Sequence, residues 1–215
     1  MTGKRIHNRA RGVITAAAIA IGATALAAPT ASAGLLTESG LPGCENQALE
    51  QPFAAFGDQA SYTLVGDGSF EQGAGSWELS RAAVVSGSNP FQVNGGGHTK
   101  ALRISPGGVA TSPEVCVGLE HPTMRFFVKS SGGLLSLSTM NAEVIVRTSL
   151  GVKVALPIGI TLPNTSWRPA ARHLVVANLL PLLPNDYTPV AFRFRAIGGA
   201  TWTIDDVYVD PKRRS

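Results

Sequence analysis

Apolar and polar residues alternate in short runs through most of the chain, and glycine, proline and serine cut the runs too often for helices to form. The clearest run is 123–129. Phe126 and Val128 fall on one face and Arg125, Phe127 and Lys129 on the other, because side chains alternate across a strand. Residues 190–196 repeat the pattern, with Phe192 and Phe194 set against Arg193 and Arg195. Weaker alternation predicts strands at 77–85, 100–104, 115–117, 134–139, 143–148, 152–156 and 173–177. Gly87-Ser88-Asn89-Pro90, Asn94-Gly95-Gly96-Gly97, Pro106-Gly107-Gly108, Ser130-Ser131-Gly132-Gly133 and Gly198-Gly199 read as the turns between them. Residues 157–166 read as irregular, and 179–184 as a loop despite its leucines, because it holds two prolines.

Two distant segments frame this body. Gly66-Asp67-Gly68-Ser69-Phe70-Glu71-Gln72-Gly73, running on to Trp77, reads as an opening strand, and residues 201–210 as a closing one. About ten short strands with no helix predict an all-β sandwich or barrel whose first and last strands lie side by side. Trp77 and Trp202 are expected in its core.

The ends add a compartment. Lys4, Arg5, Arg9 and Arg11 precede an apolar stretch at 13–28 and an Ala31-Ser32-Ala33 cleavage site, so residues 1–33 read as an export signal. The stretch is shorter than the roughly 20 apolar residues that span a bilayer, and no stable membrane insertion is expected. The expected organisation is then a signal peptide (1–33), an N-terminal arm (34–61) that Phe53 and Phe56 would pack onto the body, a β-sandwich (62–210) and a basic tail (211–215). Four of the 18 basic residues and none of the 14 acidic ones precede Gly34, so the exported chain carries 14 of each. That balance argues against nucleic-acid binding, which needs clustered Lys and Arg. Cys44 and Cys116 are the only cysteines. In an exported chain the pair predicts a disulfide; free thiols or a metal site are the alternatives, the latter poor for want of a nearby histidine.

Gly68-Ser69-Phe70-Glu71 with Gly73 and Trp77, His98-Thr99-Lys100-Ala101-Leu102-Arg103-Ile104, and Ile204-Asp205-Asp206-Val207 together resemble the jelly-roll carbohydrate-binding modules with a galactose-binding-like fold. The chain also resembles a group of exported actinobacterial proteins of unknown function, through Ala110-Thr111-Ser112-Pro113, Arg125-Phe126-Phe127 and the closing Asp205–Pro211 stretch. The first resemblance implies an antiparallel jelly-roll sandwich, a carbohydrate or cell-wall polymer as ligand, and a structural Ca²⁺ joining the first and last strands. By position, Glu71 and Asp206 are the carboxylate candidates, Asp67 and Ser69 could add oxygens, and Asp205 is the reserve. The residues alone leave open that Glu71 and Asp206 merely accept hydrogen bonds from turn amides.

For a sugar, the outward rows Arg125, Phe127, Lys129 and Arg193, Arg195 would form a cationic face with one aromatic if their strands were neighbours, able to hold an acidic polymer by charge-assisted hydrogen bonds. A solvated strand face is the plain alternative. Trp167, in a loop-rich stretch, is the expected stacking platform. Catalysis is not expected: the chain lacks nucleophile-elbow and zinc-helix motifs, and Asp205 and Asp206, adjacent on a strand, should point to opposite faces. His98, His121 and His173 read as turn or surface residues. A structural or protein-interaction role in the cell envelope is the alternative function, with the apolar loop at 179–183 as a contact patch or a cap on the core. Oligomeric state has no signal in the sequence.

Overall fold

The alternating runs fold into eleven antiparallel strands: β1 (Thr63–Leu64), β2 (Glu78–Ser86), β3 (Lys100–Thr111), β4 (Val115–Val117), β5 (Thr123–Ser131), β6 (Thr139–Arg147), β7 (Lys153–Thr161), β8 (Arg168–Pro169), β9 (His173–Leu174), β10 (Thr188–Ile197) and β11 (Thr201–Asp210). The structure, a computed structural model, describes residues 44, 47–118, 122–148, 150–175 and 187–211. All of them belong to one unit, residues 33–215. The expected export signal, residues 34–43 and 45–46 of the arm, His121, the apolar loop at 179–184 and the tail from 212 lie outside the described residues. Among the described residues there is no α-helix, and the fold is an antiparallel jelly-roll sandwich.

Hydrogen-bonded continuity hides two layers. In the first, β11 is flanked by β5 on one side and by β3 and then β1 on the other; Trp202–Ile204 faces Leu102–Ile104, and Tyr208 and Val209 face Leu64 and Thr63. In the second, β10 is flanked by β6 on one side and by β3 and then β4 on the other, and β7 forms the outer edge beyond β6. The layers meet across Phe126 of β5 and Phe194 of β10, whose rings lie edge to face at 5.0 Å. Leu102, Ile104, Trp202, Ile204, Phe192 and Met140 fill the space between.

The β2–β3 hairpin belongs to both layers. Ala82–Ser86 pairs with Lys100–Ile104 in the first, and Glu78–Ser80 with Val109–Thr111 in the second. Pro106-Gly107-Gly108 is therefore no turn between strands, as the sequence suggested, but a corner inside one long strand. Gly107 takes φ +65°, Arg81 opposite it takes φ +50° in a bulge, and a Cβ at Gly108 would sit 2.6 Å from the Arg81 carbonyl. Other boundaries also move. Residues 134–138 carry a 3-10 turn, Leu135–Leu137, before β6 begins. β7 runs on through Pro157, which an edge strand tolerates because its missing N–H costs no ladder bond. The expected opening strand, residues 66–73 running on to Trp77, is a series of turns that docks on β11: Val65 N–H donates to Val207 O at 2.9 Å, and Val207 N–H to Gly68 O at 3.1 Å. A Cβ at Gly68 would lie 2.7 and 2.9 Å from the Val65 and Val207 carbonyls, so only glycine fits. The two ends of the domain are neighbours, as the framing segments predicted.

The disulfide is present, with Cys44 and Cys116 Cα atoms 5.5 Å apart. It ties the arm to β4 and closes a 72-residue separation, a constraint that contributes about 4 kcal/mol in the chain-entropy account.

His173 clasps the open side of the sandwich. It sits on β9, beside β5, yet its ring lies against Gly159 of β7 in the other layer, hydrogen-bonds the Ile158 backbone and stacks on Phe126 at 5.7 Å. A Cβ at Gly159 would collide with the imidazole. Gly159→Ala is expected to cost about 1–3 kcal/mol by overpacking, recovered in part when His173 is also shortened to alanine; urea unfolding of the single and double variants measures it. Burial holds the His173 pKa below its ordinary 6.5. Folded protein then binds fewer protons than unfolded protein just below that value, so this contribution is complete above about 6.5 and fades as the pH falls through the folded pKa. A His173→Gln variant should lose that part of the slope of stability against pH between 5 and 7; an unchanged slope would contradict it.

Candidate functional site

β5 and β10 lie in different layers, so the rows Arg125–Phe127–Lys129 and Arg193–Arg195 do not form one face. They lie on opposite outer surfaces, and the two surfaces differ.

On the first, outward does not mean exposed. The arm runs over β5 and β11, and Phe53 packs on Phe127 at 5.3 Å, Tyr62 at 5.1 Å and Tyr208 at 5.9 Å. Phe56 and Phe91 close over Phe127, which is 0% exposed. Arg125 is only 9% exposed; its guanidinium stacks over Phe53 at 4.5 Å, donates to Asp58 Oδ2 at 2.7 Å and to the Ala170 carbonyl at 3.0 Å. Tyr62 O–H donates to the same Asp58 oxygen at 2.8 Å, and burial pushes the Tyr62 phenol up to about 12. Arg125 and Phe127 thus hold the arm down rather than face solvent. Strand alternation could not reveal this, because it reports the side of the sheet and not what lies on that side. Lys129 and Trp167 remain near the rim, half-buried, with the ammonium 4.9 Å above the indole. Each already has the other as partner.

The second surface is open. Beside Arg193 on β10 stand Glu143 of β6 and Thr111 of β3, and beyond Thr111 stands Glu78 of β2. Arg193 Nε donates to Glu143 Oε2 at 2.5 Å. Arg147 pairs with Glu114 at 3.4 Å. Lys153 of β7 reaches Glu78 of β2 at 3.8 Å, both side chains being exposed. Those two strands are the opposite edges of the layer, so the sheet curls until its rims approach across a trough. Beneath that bridge lies a cavity of about 200 Å³ lined by Thr111, Ser112, Pro113, Ile145 and Ala191 among others, none of them aromatic. Arg195 stands further along β10, exposed, its guanidinium with no ion pair or hydrogen bond among the described residues.

The two ends of the domain form a third cluster. β11 slips register between Asp205 and Tyr208, with Asp206 at φ +48°. This bulge breaks the alternation that would have set Asp205 and Asp206 on opposite faces. Instead Asn89 Nδ2 donates to Asp205 Oδ2 at 2.9 Å and to Asp206 Oδ2 at 2.8 Å, while Asn89 N–H and Ser88 Oγ also donate to Asp205. Both carboxylates are 0% exposed. Burial pushes Asp205 above the ordinary carboxylate value against these hydrogen bonds; burial and the Asp205 charge push Asp206 up to about 6. Asp206 Oδ1 is buried with no partner, and the Glu71 charge also acts on it. An orphaned carboxylate oxygen beside further negative charge suits a hard cation. Glu71 is partly engaged: Oε1 accepts from the Thr99 and Lys100 amides at 2.9 and 2.7 Å. Asp67 turns away to Ser76, accepting from its N–H at 3.2 Å and its hydroxyl at 2.6 Å. Ser69 is half-buried at the docking turn. Among the described residues no group of three or more His, Cys, Asp or Glu side chains is placed to hold a metal. Asn89 escaped sequence reasoning altogether, hidden in a Gly-Ser-Asn-Pro stretch that reads as plain loop.

No protein-family profile matches the chain, and no curated protein does. Solved structures similar in fold include the family 61 carbohydrate-binding module TmCBM61 in complex with β-1,4-galactotriose, 15% identical, with 68% of this chain and 96% of that one covered and a TM-score of 0.41. The CBM22-1–GH10 modules of Clostridium thermocellum endo-1,4-β-D-xylanase 10B complexed with xylohexaose are 15% identical, with 68% of this chain and 28% of that one covered and a TM-score of 0.48. A CBM29-2 D83A mutant complexed with mannohexaose is 12% identical, with 69% and 90% covered and a TM-score of 0.41. These likenesses are of fold; the resemblance to exported actinobacterial proteins rests on sequence motifs alone. No described helix is long and apolar enough to cross a membrane.

Proposed function

We propose that the chain is an exported, non-catalytic carbohydrate-binding protein, and that its ligand lies in the trough on the outer surface of the β2–β3–β10–β6–β7 layer. The observation that carries this is the trough itself: a concave, polar-rimmed sheet surface with a cavity of about 200 Å³, left open while the opposite surface is sealed by the arm. A curled strand surface presents side chains in rows at strand spacing, suited to reading the hydroxyls of an extended chain of sugars. Glu78, Glu114 and Glu143 are each engaged with a cation, so among the described residues of the trough no carboxylate pair stands ready to act as acid and nucleophile. The basic, apolar and small-residue order of residues 1–33 supports export, and the disulfide agrees with an oxidising compartment. The test is a glycan array with the purified chain, followed by Ile145→Trp, which fills the trough from a strand position that accepts aromatics. At least one polysaccharide should be retained, and the variant should bind it at least about tenfold more weakly, a loss of about 1.4 kcal/mol. Unchanged binding would move the site elsewhere.

A structural Ca²⁺ belongs to the same proposal. Asp206 through its orphaned oxygen and Glu71 through Oε2 would hold it, with backbone carbonyls completing the oxygen set; Asp67 Oδ2 already accepts from Ser76. The ion would neutralise the acidic end of the domain. EDTA is expected to lower the melting temperature by roughly 5–10 °C if the free ion is near 100 times its dissociation constant. An unchanged melt removes the ion from the account.

A further inference from the structure

Arg195 is the one trough arginine the fold leaves uncommitted. Arg193 and Arg147 are both spent on glutamates, whereas the Arg195 guanidinium has no ion pair or hydrogen bond among the described residues and projects from the exposed side of β10. Its neighbours are set by register. Val109 of β3 stands on one side with Ser80 of β2 beyond it; Asn141 of β6 stands on the other with Ile160 of β7 beyond that. Asn141 Oδ1 accepts from the Thr139 hydroxyl at 3.2 Å. That fixes the amide with its nitrogen free to donate. Ile160 is 61% exposed and Ile197, two residues along β10, is 44% exposed. One end of the trough therefore offers a free guanidinium, an oriented amide donor and an aliphatic floor.

We propose that this end is a subsite for a carboxylated sugar, a uronate within an anionic glycan, and that Arg195 selects it by charge; the inference rests on the trough being the binding surface. A pyranose ring would lay its C–H face on Ile160 and Ile197. Its carboxylate would meet the planar guanidinium fork, which matches a carboxylate's two oxygens, while Asn141 donates to a ring hydroxyl or to the same carboxylate. The cavity-lining residues supply no aromatic ring on which a neutral sugar would stack, so charge rather than stacking supplies selectivity.

The experiment measures binding of the full chain to polygalacturonate, to its fully methyl-esterified form, to neutral β-1,4-galactan and to polyglycerol phosphate, by titration calorimetry at low and moderate salt. Polygalacturonate should bind about tenfold or more tightly than the ester, with the difference shrinking as salt rises. Arg195→Ala should erase that preference, bringing polygalacturonate down to the affinity of the ester; Arg195→Lys, which keeps the charge and loses the fork, should retain only part of it. Arg195 is exposed, so both variants should keep the parent melting temperature. Equal binding of acid and ester, or a preference that survives Arg195→Ala, overturns the inference while leaving the trough as a sugar site. Tighter binding of polyglycerol phosphate than of polygalacturonate overturns it in favour of a phosphate ligand. Failure of the parent chain to bind any of the polymers, or any glycan on the array, overturns the trough reading and this inference with it.

Discussion

Asp58→Ala is expected to destabilise the domain by about 3–5 kcal/mol, the usual cost of removing one partner from a buried ion pair. The side chains of Arg125 and Asp58 are 10% and 7% exposed, so the guanidinium left behind would keep only the Ala170 carbonyl and the Phe53 ring. The loss would free the arm as well, because Tyr62 O–H shares the lost carboxylate. Urea unfolding measures it, and a loss below about 1 kcal/mol would place the pair with ordinary surface salt bridges. Replacing both partners by apolar residues should cost far less, since no charge is then stranded. Acid provides an independent check. Burial pushes the Asp58 carboxyl up, but hydrogen bonds from Tyr62, the Ala60 amide and Arg125 outweigh it and hold the group below its ordinary 3.8. The pair's contribution is therefore complete above about 3.8 and fades as the pH falls through the folded value. The doubly apolar variant should lack that acid limb.

Asn89→Ala should be of similar size. A single amide nitrogen serves two fully buried, adjacent carboxylates, and the side-chain oxygen accepts from the Phe91 amide at 3.0 Å. Hydrogen bonds to charged groups are worth about 1.5–3 kcal/mol each, so a loss of about 3–5 kcal/mol is expected from the two together. Combining it with Asp206→Asn should recover part of the loss, with a coupling of about 1–3 kcal/mol between residues in direct contact. An unchanged urea midpoint for Asn89→Ala would show that the carboxylates do not depend on it.

Both effects fall on residues whose roles strand alternation did not reveal, for different reasons. The alternation places Arg125 and Phe127 on the outer side of β5, but Asp58 of the arm that covers them lies 67 residues before Arg125, and nothing in the 123–129 run refers to it. Asp205 and Asp206 were separated by a rule that holds only in a regular strand. The signal against it was present. Inward apolar positions run Trp202, Ile204 and then Val207, Val209, a one-residue slip in a period-two pattern, which is what a bulge leaves behind. Trp77 followed by Ala82 and Val84 carries the same mark at the β2 corner.

Local chemistry alone settled that the body is built of short strands, which side each residue takes in the regular runs such as 123–129 and 190–196, and that the two cysteines could join. These follow from backbone sterics and a repeat of two residues, and neither needs knowledge of distant neighbours. Only the tertiary structure decided that β5 and β10 belong to different layers, that one outer surface is sealed while the other curls into a trough, and that Asp205 and Asp206 converge on Asn89. Those outcomes depend on contacts between segments far apart in the chain, where burial and charge pairing are determined by whatever packs opposite, and a residue carries no mark of its distant partner.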